Sequence, residues 1–564
     1  MTSIRSRCVS LWLALTALIV CAELAQAQEP VPPPDTVATH LQSLLKEGTH
    51  PKLRWGAFPD YQARLEELYA QAGNNPLWIK AGQPTPQAAA VIASLAGADA
   101  KGLNSADYDA ALFQEWIKAP ELAANPNPGE TALFDVGLSL ATMRYASNLN
   151  VGRINPRNVD FGLSIEPKKL DLPALLLKLS QSEDPKPLLD GVEPNLPVYQ
   201  WLKDALARYQ SLAGQTPAAS LSFPAKFSPG AKHKDVPALR RLLAAFGDLA
   251  EIKPEMADSD LYDPDLAAAV KSFQKRHGLA GDAVIGQGTL AQLNIPLADR
   301  VRQIQLGLER LRWLPEGVRG LYLIVNIPSF QLYGSRDGEG FGQHDIEMNV
   351  IVGDADKGRH TPVFHSDMTY VTFRPYWNVP YQITAKEYLP ILRRNPGYLA
   401  RHNLEIVSNF SNNAAAHAAS AGNIQMLASG ALKLRQKPGP KNALGLVKFT
   451  FPNNNNVYLH STPSQGLFQR ARRDFSHGCI RVEDPVRLAE WVLADRGEWN
   501  RERIEAAMRG DSPKTVTLDK PIPVYIFYST VLADREGKVS FYNDIYGHDQ
   551  VLRMLLDKGF PYPS

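Results

Sequence analysis

Cys479 lies in the run Ser476-His477-Gly478-Cys479-Ile480-Arg481-Val482, and no other cysteine occurs after Cys21. A cysteine acts as a nucleophile in its thiolate form, so it needs a base or a positive neighbour. Two histidines are near in sequence. His477 is two residues upstream, and His460 is nineteen upstream in Val457-Tyr458-Leu459-His460-Ser461-Thr462. Strand alternation puts Tyr458 and His460 on one face, with Val457 and Leu459 on the other. Gly478 lets the backbone come close to a substrate. The amides of Gly478 and Cys479 could stabilise a developing oxyanion. Arg481 could orient a carboxylate or hold the loop. Taken alone, a cysteine beside histidines leaves other chemistry open. Cys479, His477 and His460 could form a zinc site, although no Cys-x-x-Cys spacing supports one. An inert buried thiol is a further alternative, but Ser, His, Gly and Arg make a poor apolar pocket.

Compartment sharpens the case for chemistry. Arg5 and Arg7 precede the uncharged run Val9–Ala22, and Ala25-Gln26-Ala27 supplies small residues for cleavage. This reads as an export signal over residues 1–27, with Cys8 and Cys21 inside it. The run has 14 residues, against about 20 for a membrane-spanning helix. A lipoprotein reading would acylate Cys21, but Val20 fits poorly where a small residue is expected. The expected location is the periplasm, with the membrane only an export route and no lipid anchor. A lone thiol exported to an oxidising compartment cannot form an internal disulfide, so its retention suggests chemistry.

The elements that must position this cysteine follow from periodicity. The 564 residues are too many for one core. The net charge is +2, and removing Arg5, Arg7 and Glu23 leaves about +1, which argues against a nucleic-acid binder working by bulk charge. Residues 28–225 read as a helical scaffold: Val37, Leu41, Leu44 and Leu45 share a helical face, as do Leu65, Leu68 and Tyr69, and Tyr199, Leu202, Leu206 and Tyr209. Residues 211–231 read as a linker. Residues 232–296 form a compact helical unit, with Asp263 as N-cap and Pro264 in the first turn. Residues 297–320 read as a linker helix. Residues 321–510 are predominantly β, with an insertion at about 375–430 that interrupts the pattern and could cap a site. Residues 511–564 read as a β/α extension packed on the catalytic or scaffold domain. The expected class is multidomain α+β.

Two resemblances follow. Phe273-Gln274, the Gly-Asp turn and the closing Thr-Leu…Leu-Asn of residues 232–296 resemble the small three-helix peptidoglycan-binding domain. The stretch His460-Ser461-Thr462-Pro463, Leu467-Phe468, Arg473 and Ser476 to Val482 resembles the signature of the L,D-transpeptidase (YkuD-type) catalytic domain. Arg312-Trp313-Leu314-Pro315, Trp377-Asn378-Val379-Pro380, residues 438–445 and Asp544-Ile545-Tyr546-Gly547-His548 are similar to the large multidomain Gram-negative branch.

The resemblance implies that Cys479 attacks meso-diaminopimelate in a tetrapeptide stem, releases D-Ala and passes the acyl group to a second stem as a 3→3 cross-link. His460 would be the proton carrier, and His477, with Ser476 and Gly478, part of the loop. Tyr458 would be an oxyanion or substrate contact. Trp377, Asn378, Arg481 and Ser461 are substrate-binding candidates. Ser461 departs from the Gly that many relatives carry. The family also implies acylation by carbapenem-type β-lactams, peptidoglycan stem peptides and glycan as partners, and neither cofactor nor metal. An L,D-carboxypeptidase and a non-catalytic wall-binding scaffold are the alternatives.

Overall fold

The computed structural model describes residues 35–123, 127–163, 168, 170–215, 220–315, 319–339, 341–342 and 344–559. The expected export segment, with Cys8 and Cys21, lies outside them. Among the described residues no helix is long and apolar enough to cross a membrane.

Helices dominate the first part, as the periodicity predicts. Val37–Glu47, Gln62–Gln71, Pro86–Ala96 and Leu172–Gln181 pack around Pro128–Val151. That central helix starts at Pro128, where Asn127 accepts the Glu130 amide, a favourable pairing of N-cap and first-turn proline. Leu41, Leu65, Leu68 and Tyr69 are fully buried in this core. The core ends near Val192. The helix Pro197–Gln215 instead packs against Leu297–Arg312 and the 232–293 region, so residues read from sequence as one scaffold contribute to two cores. It also continues five residues into the expected linker.

The small unit folds as its caps dictate. Asp263 accepts the Leu266 amide at 3.0 Å, and Gly278 takes φ +66° after the helix Pro264–Arg276. The Gln274 amide group bonds Asp282, Val284 and Thr289, which holds the Gly-Asp turn against the closing helix. The unit is fixed to the rest of the chain. Arg276 donates to the Val539 carbonyl at 2.8 Å, and Gln292 bonds Asn543 at 2.7 Å.

Leu297–Arg312 is a central pillar, although its sequence reads as a linker. It buries both apolar side chains and the charged Arg300, Glu309, Arg310 and Arg312. Glu309 is fully buried, bonds Arg312 at 3.1 Å and Arg153 at 3.2 Å, and accepts the Ile154 amide at 3.0 Å. Burial alone would raise this carboxyl, but Arg153, Arg312 and the two amides overcome it and hold it below the usual carboxylate range. Periodicity cannot foresee this, because it marks apolar positions and not charges whose partners lie far away in sequence. Replacing Glu309 by Gln leaves two buried guanidinium groups uncompensated and is expected to cost about 3–5 kcal/mol, read as a lowered Tm. Because the folded carboxyl is depressed, its contribution is present above the unfolded value near 4.3 and is lost as pH falls through the lower folded value. Wild type and Glu309→Gln should therefore converge in stability in acid.

The main sheet runs in the order Val447–Thr450, Leu459–His460, Ile480–Val482, Ile346–Gly353, Gln331–Glu339, Arg319–Asn326, Lys514–Phe527, Val363–Phe373. Val447–Thr450 also pairs with Val363–Phe373, so the sheet closes on itself. Lys514–Phe527, read from sequence as part of an appended extension, lies in the middle of this sheet, parallel to Arg319–Asn326. Phe161–Gly162 of the scaffold adds parallel to Val363–Phe373.

The insertion forms a small body of its own. It is a four-stranded sheet with helices, around a core that includes Val379, Leu392, Ile406, Leu427 and Leu434. It extends to Gln436, because Lys433–Gln436 pairs with both Leu404–Val407 and Trp377–Asn378 and completes that sheet.

Candidate active site

Two short parallel strands create the site. Leu459 pairs with Ile480 and His460 with Arg481, and the Ile480 amide donates to the Tyr458 carbonyl at 3.1 Å. That register sets Tyr458 beside Cys479 and makes His460 the diagonal neighbour of the cysteine. Val457 and Leu459 point into the core, so alternation sends Tyr458 and His460 to the opposite face. Their rings are 5.7 Å apart.

The loop before Cys479 is tightly held. Gly478 has φ +115°, a conformation that favours glycine. Ser476 Oγ donates to the Cys479 carbonyl at 2.5 Å and accepts the Gly478 amide at 3.0 Å. Thr361 Oγ1 donates to the Gly478 carbonyl at 2.8 Å. This corrects one expectation. The Gly478 amide already has Ser476 as its acceptor and is not free for an oxyanion.

The Cys479 thiol contacts the Asn456 carbonyl at 3.6 Å, a long bond even for sulfur. The Tyr458 side chain is in hydrogen-bonding contact with both Cys479 and Trp377. Burial pushes the thiol above its ordinary value, against the pull of Tyr458, Lys448 and Arg481. His460 Nδ1 is 2.5 Å from the Ser461 carbonyl and so carries the proton toward it. Burial, then the Arg481 and Lys448 charges, pull the His460 imidazole down to about 3, although its bonds to the Ser461 and Leu444 carbonyls act the other way. At neutral pH both partners are therefore uncharged.

The remaining candidates separate. Arg481 lies on the cavity wall with Cys479 and His460, and its Nε has no partner. Trp377 lines the same cavity, whereas Asn378 is exposed and lines the neighbouring one. Ser461 does not face the site. It is buried, and its Oγ lies so close to Gly445 that a Cβ there would meet it at 2.5 Å. The same alternation that turns His460 toward the site turns Ser461 away, and its contribution is the carbonyl that orients the imidazole. His477 is held by the insertion. Its Nε2 is 2.7 Å from Glu387 Oε1 and 2.6 Å from Arg359 Nη1, and Arg359 bonds the same Glu387 at 2.8 Å. One nitrogen can donate to Glu387 or accept from Arg359, not both. Either way His477 ties the cysteine loop to the insertion. Among the described residues no three His, Cys, Asp or Glu side chains are grouped to hold a metal.

Sequence reading missed Glu387 and Lys448. Lys448 pairs with His460 across the sheet, and its ammonium sits 3.9 Å from the Tyr458 ring centroid. The available signal was a lysine between the buried Val447 and Phe449, which alternation places on the face shared with His460.

Two cavities, of about 510 and 590 Å³, meet at Cys479, and both are walled partly by the insertion. Tyr458, Asn456, Leu444 and Pro380 line both with it.

Comparison with known proteins agrees with this geometry. Residues 63–206 match a family model described as "Scaffold domain", and residues 232–293 one described as "Putative peptidoglycan binding domain". Residues 320–526 match one described as "L,D-transpeptidase catalytic domain". A Haemophilus influenzae protein described as "Putative L,D-transpeptidase" is 32% identical over 253 residues, which are 45% of this chain and 49% of that relative. The chain thus spans about half the length of the relative it matches. With Cys479, His460 and Tyr458 all inside the matched region, the C-terminal part of the chain is a catalytic domain of the L,D-transpeptidase family, preceded by a scaffold domain and a peptidoglycan-binding domain.

Proposed function

We propose that this protein is a peptidoglycan L,D-transpeptidase that forms 3→3 cross-links between meso-diaminopimelate residues through a thioester on Cys479. The observation that carries the reading is the meeting of two cavities at one cysteine, as a reaction joining two substrates requires. His460 takes the thiol proton as sulfur attacks the diaminopimelate carbonyl. The Cys479 amide and the Tyr458 hydroxyl face the developing oxyanion. The carbon–nitrogen bond to the terminal D-Ala breaks, and the proton on His460 goes to the leaving amine. An amine of a second stem then attacks the thioester, gives its proton to His460, and the thiol is restored. One acyl bond is exchanged for another of similar energy, so no nucleotide is needed. Action in the periplasm, after removal of residues 1–27, completes the reading.

Incubation of the purified protein with disaccharide tetrapeptide, followed by product mass analysis, tests it. Dimer together with free D-Ala is expected. Tripeptide without dimer would instead mean a hydrolase.

The insertion shields the thioester from water while the amine arrives. Its tie to the cysteine loop through Glu387 is partly exposed, so it is worth at most about 1 kcal/mol. Glu387→Ala is expected to raise the ratio of tripeptide to dimer by no more than about fivefold, measured on the same products.

A further inference from the structure

Lys448 is a half-buried cation for which the mechanism above has no use. Its strand neighbours Val447 and Phe449 are in the core, so its side chain emerges on the site face, between Thr372 and His460 of the flanking strands. The ammonium rests on the ring of Tyr458, whose side chain contacts Cys479. The titratable groups that interact with it are Cys479 and His460, and no carboxylate among the described residues is paired with it. Lys448 lines the smaller of the two cavities, in which every charged residue is a lysine, Lys448 within and Lys433 at an exposed position. A half-buried ammonium with no acid, open to a cavity beside a nucleophile, is a site for an anion.

The reaction supplies one. The residue that leaves carries a carboxylate about 4 Å from the carbonyl carbon under attack. Resting on the transpeptidase reading, we propose that Lys448 binds the terminal carboxylate of the donor stem, which makes the smaller cavity the leaving-residue subsite and restricts donors to those with a free C-terminus. The ammonium also keeps the leaving residue on the opposite side of Cys479 from His477 and Glu387, which line only the larger cavity.

The test compares the full chain with Lys448→Met and Lys448→Arg on a tetrapeptide stem and on the same stem ending in D-alaninamide. Wild type is expected to favour the free acid in kcat/KM by about tenfold to a hundredfold, the worth of one charge-assisted contact. Lys448→Met should lose that preference by slowing on the acid alone, and Lys448→Arg should keep most of it. A preference that survives in Lys448→Met, or an equal loss on both donors, overturns the proposal. A second measurement needs no turnover. N-acetyl-D-alanine, but not its amide, should slow alkylation of Cys479 by iodoacetamide in wild type and not in Lys448→Met. Protection that is absent in wild type, or equal for acid and amide, overturns the subsite. Protection seen without any dimer or D-Ala release would show that the transpeptidase reading had failed while the anion site stood.

Discussion

Replacing His460 by alanine is expected to slow acylation of Cys479 by about 10²–10⁴-fold, the usual worth of a positioned base. The pH profile makes this more than a rate loss. Burial and nearby charge keep His460 neutral down to about pH 3, and burial keeps the thiol protonated above its ordinary value. The resting pair is thus neutral, and on the proposed mechanism the proton would move only as sulfur attacks. Wild-type acylation by a tetrapeptide or a carbapenem should therefore be flat between about pH 5 and 8, without a limb at the ordinary imidazole value near 6.5. In His460→Ala only thiolate can react, so the rate should climb about tenfold per pH unit over the same range. Stopped acylation followed by intact-protein mass reads both profiles. A wild-type limb near 6.5 would contradict the neutral pair, and a larger loss in His477→Ala than in His460→Ala would move the base to His477. The structure argues against that reversal, because His477 Nε2 is occupied by Glu387 and Arg359.

Cys479→Ala is expected to abolish D-Ala release, dimer formation and any covalent adduct, a loss of roughly 10⁵–10⁶-fold to background. The fold should not notice. The thiol's hydrogen bond to Asn456 is long, and the loop is held by Ser476, Thr361 and the Gly478 backbone, none of which uses the sulfur. Tm should therefore stay close to that of wild type. Cys479→Ser should be nearly as inactive, since a hydroxyl ionises far less readily than a thiol. Dimer formed by folded Cys479→Ala would sink the thioester route outright. These two substitutions separate the roles: one removes the bond that forms, the other the proton transfer that lets it form.

Much of this was already legible in the chain. The helical scaffold, the small capped unit and the β-rich domain follow from periodicity, caps and turn residues, which are local properties. The pairing of Cys479 with His460 and Tyr458 was legible because alternation along one short strand and one signature loop suffice to put them on one face. Ser461 follows the same rule in reverse. Its neighbour His460 faces the site, so Ser461 cannot, and only the packing of Gly445 against it makes the reason plain.

What the amino-acid sequence determined by itself was the set of candidate groups: one thiol in a glycine loop, a histidine and a tyrosine on a polar strand face, and the family which that pattern resembles. Tertiary structure alone decided which charges surround that thiol and how the domains are joined. Glu309 meets Arg153 from 156 positions away, and Lys514–Phe527 enters the catalytic sheet beside a strand that begins at Arg319. Arg359 and Glu387 reach His477 in the cysteine loop from 118 and 90 positions away. Such partners lie far apart in sequence, and their energies come from burial, which exists only once the chain has folded around them.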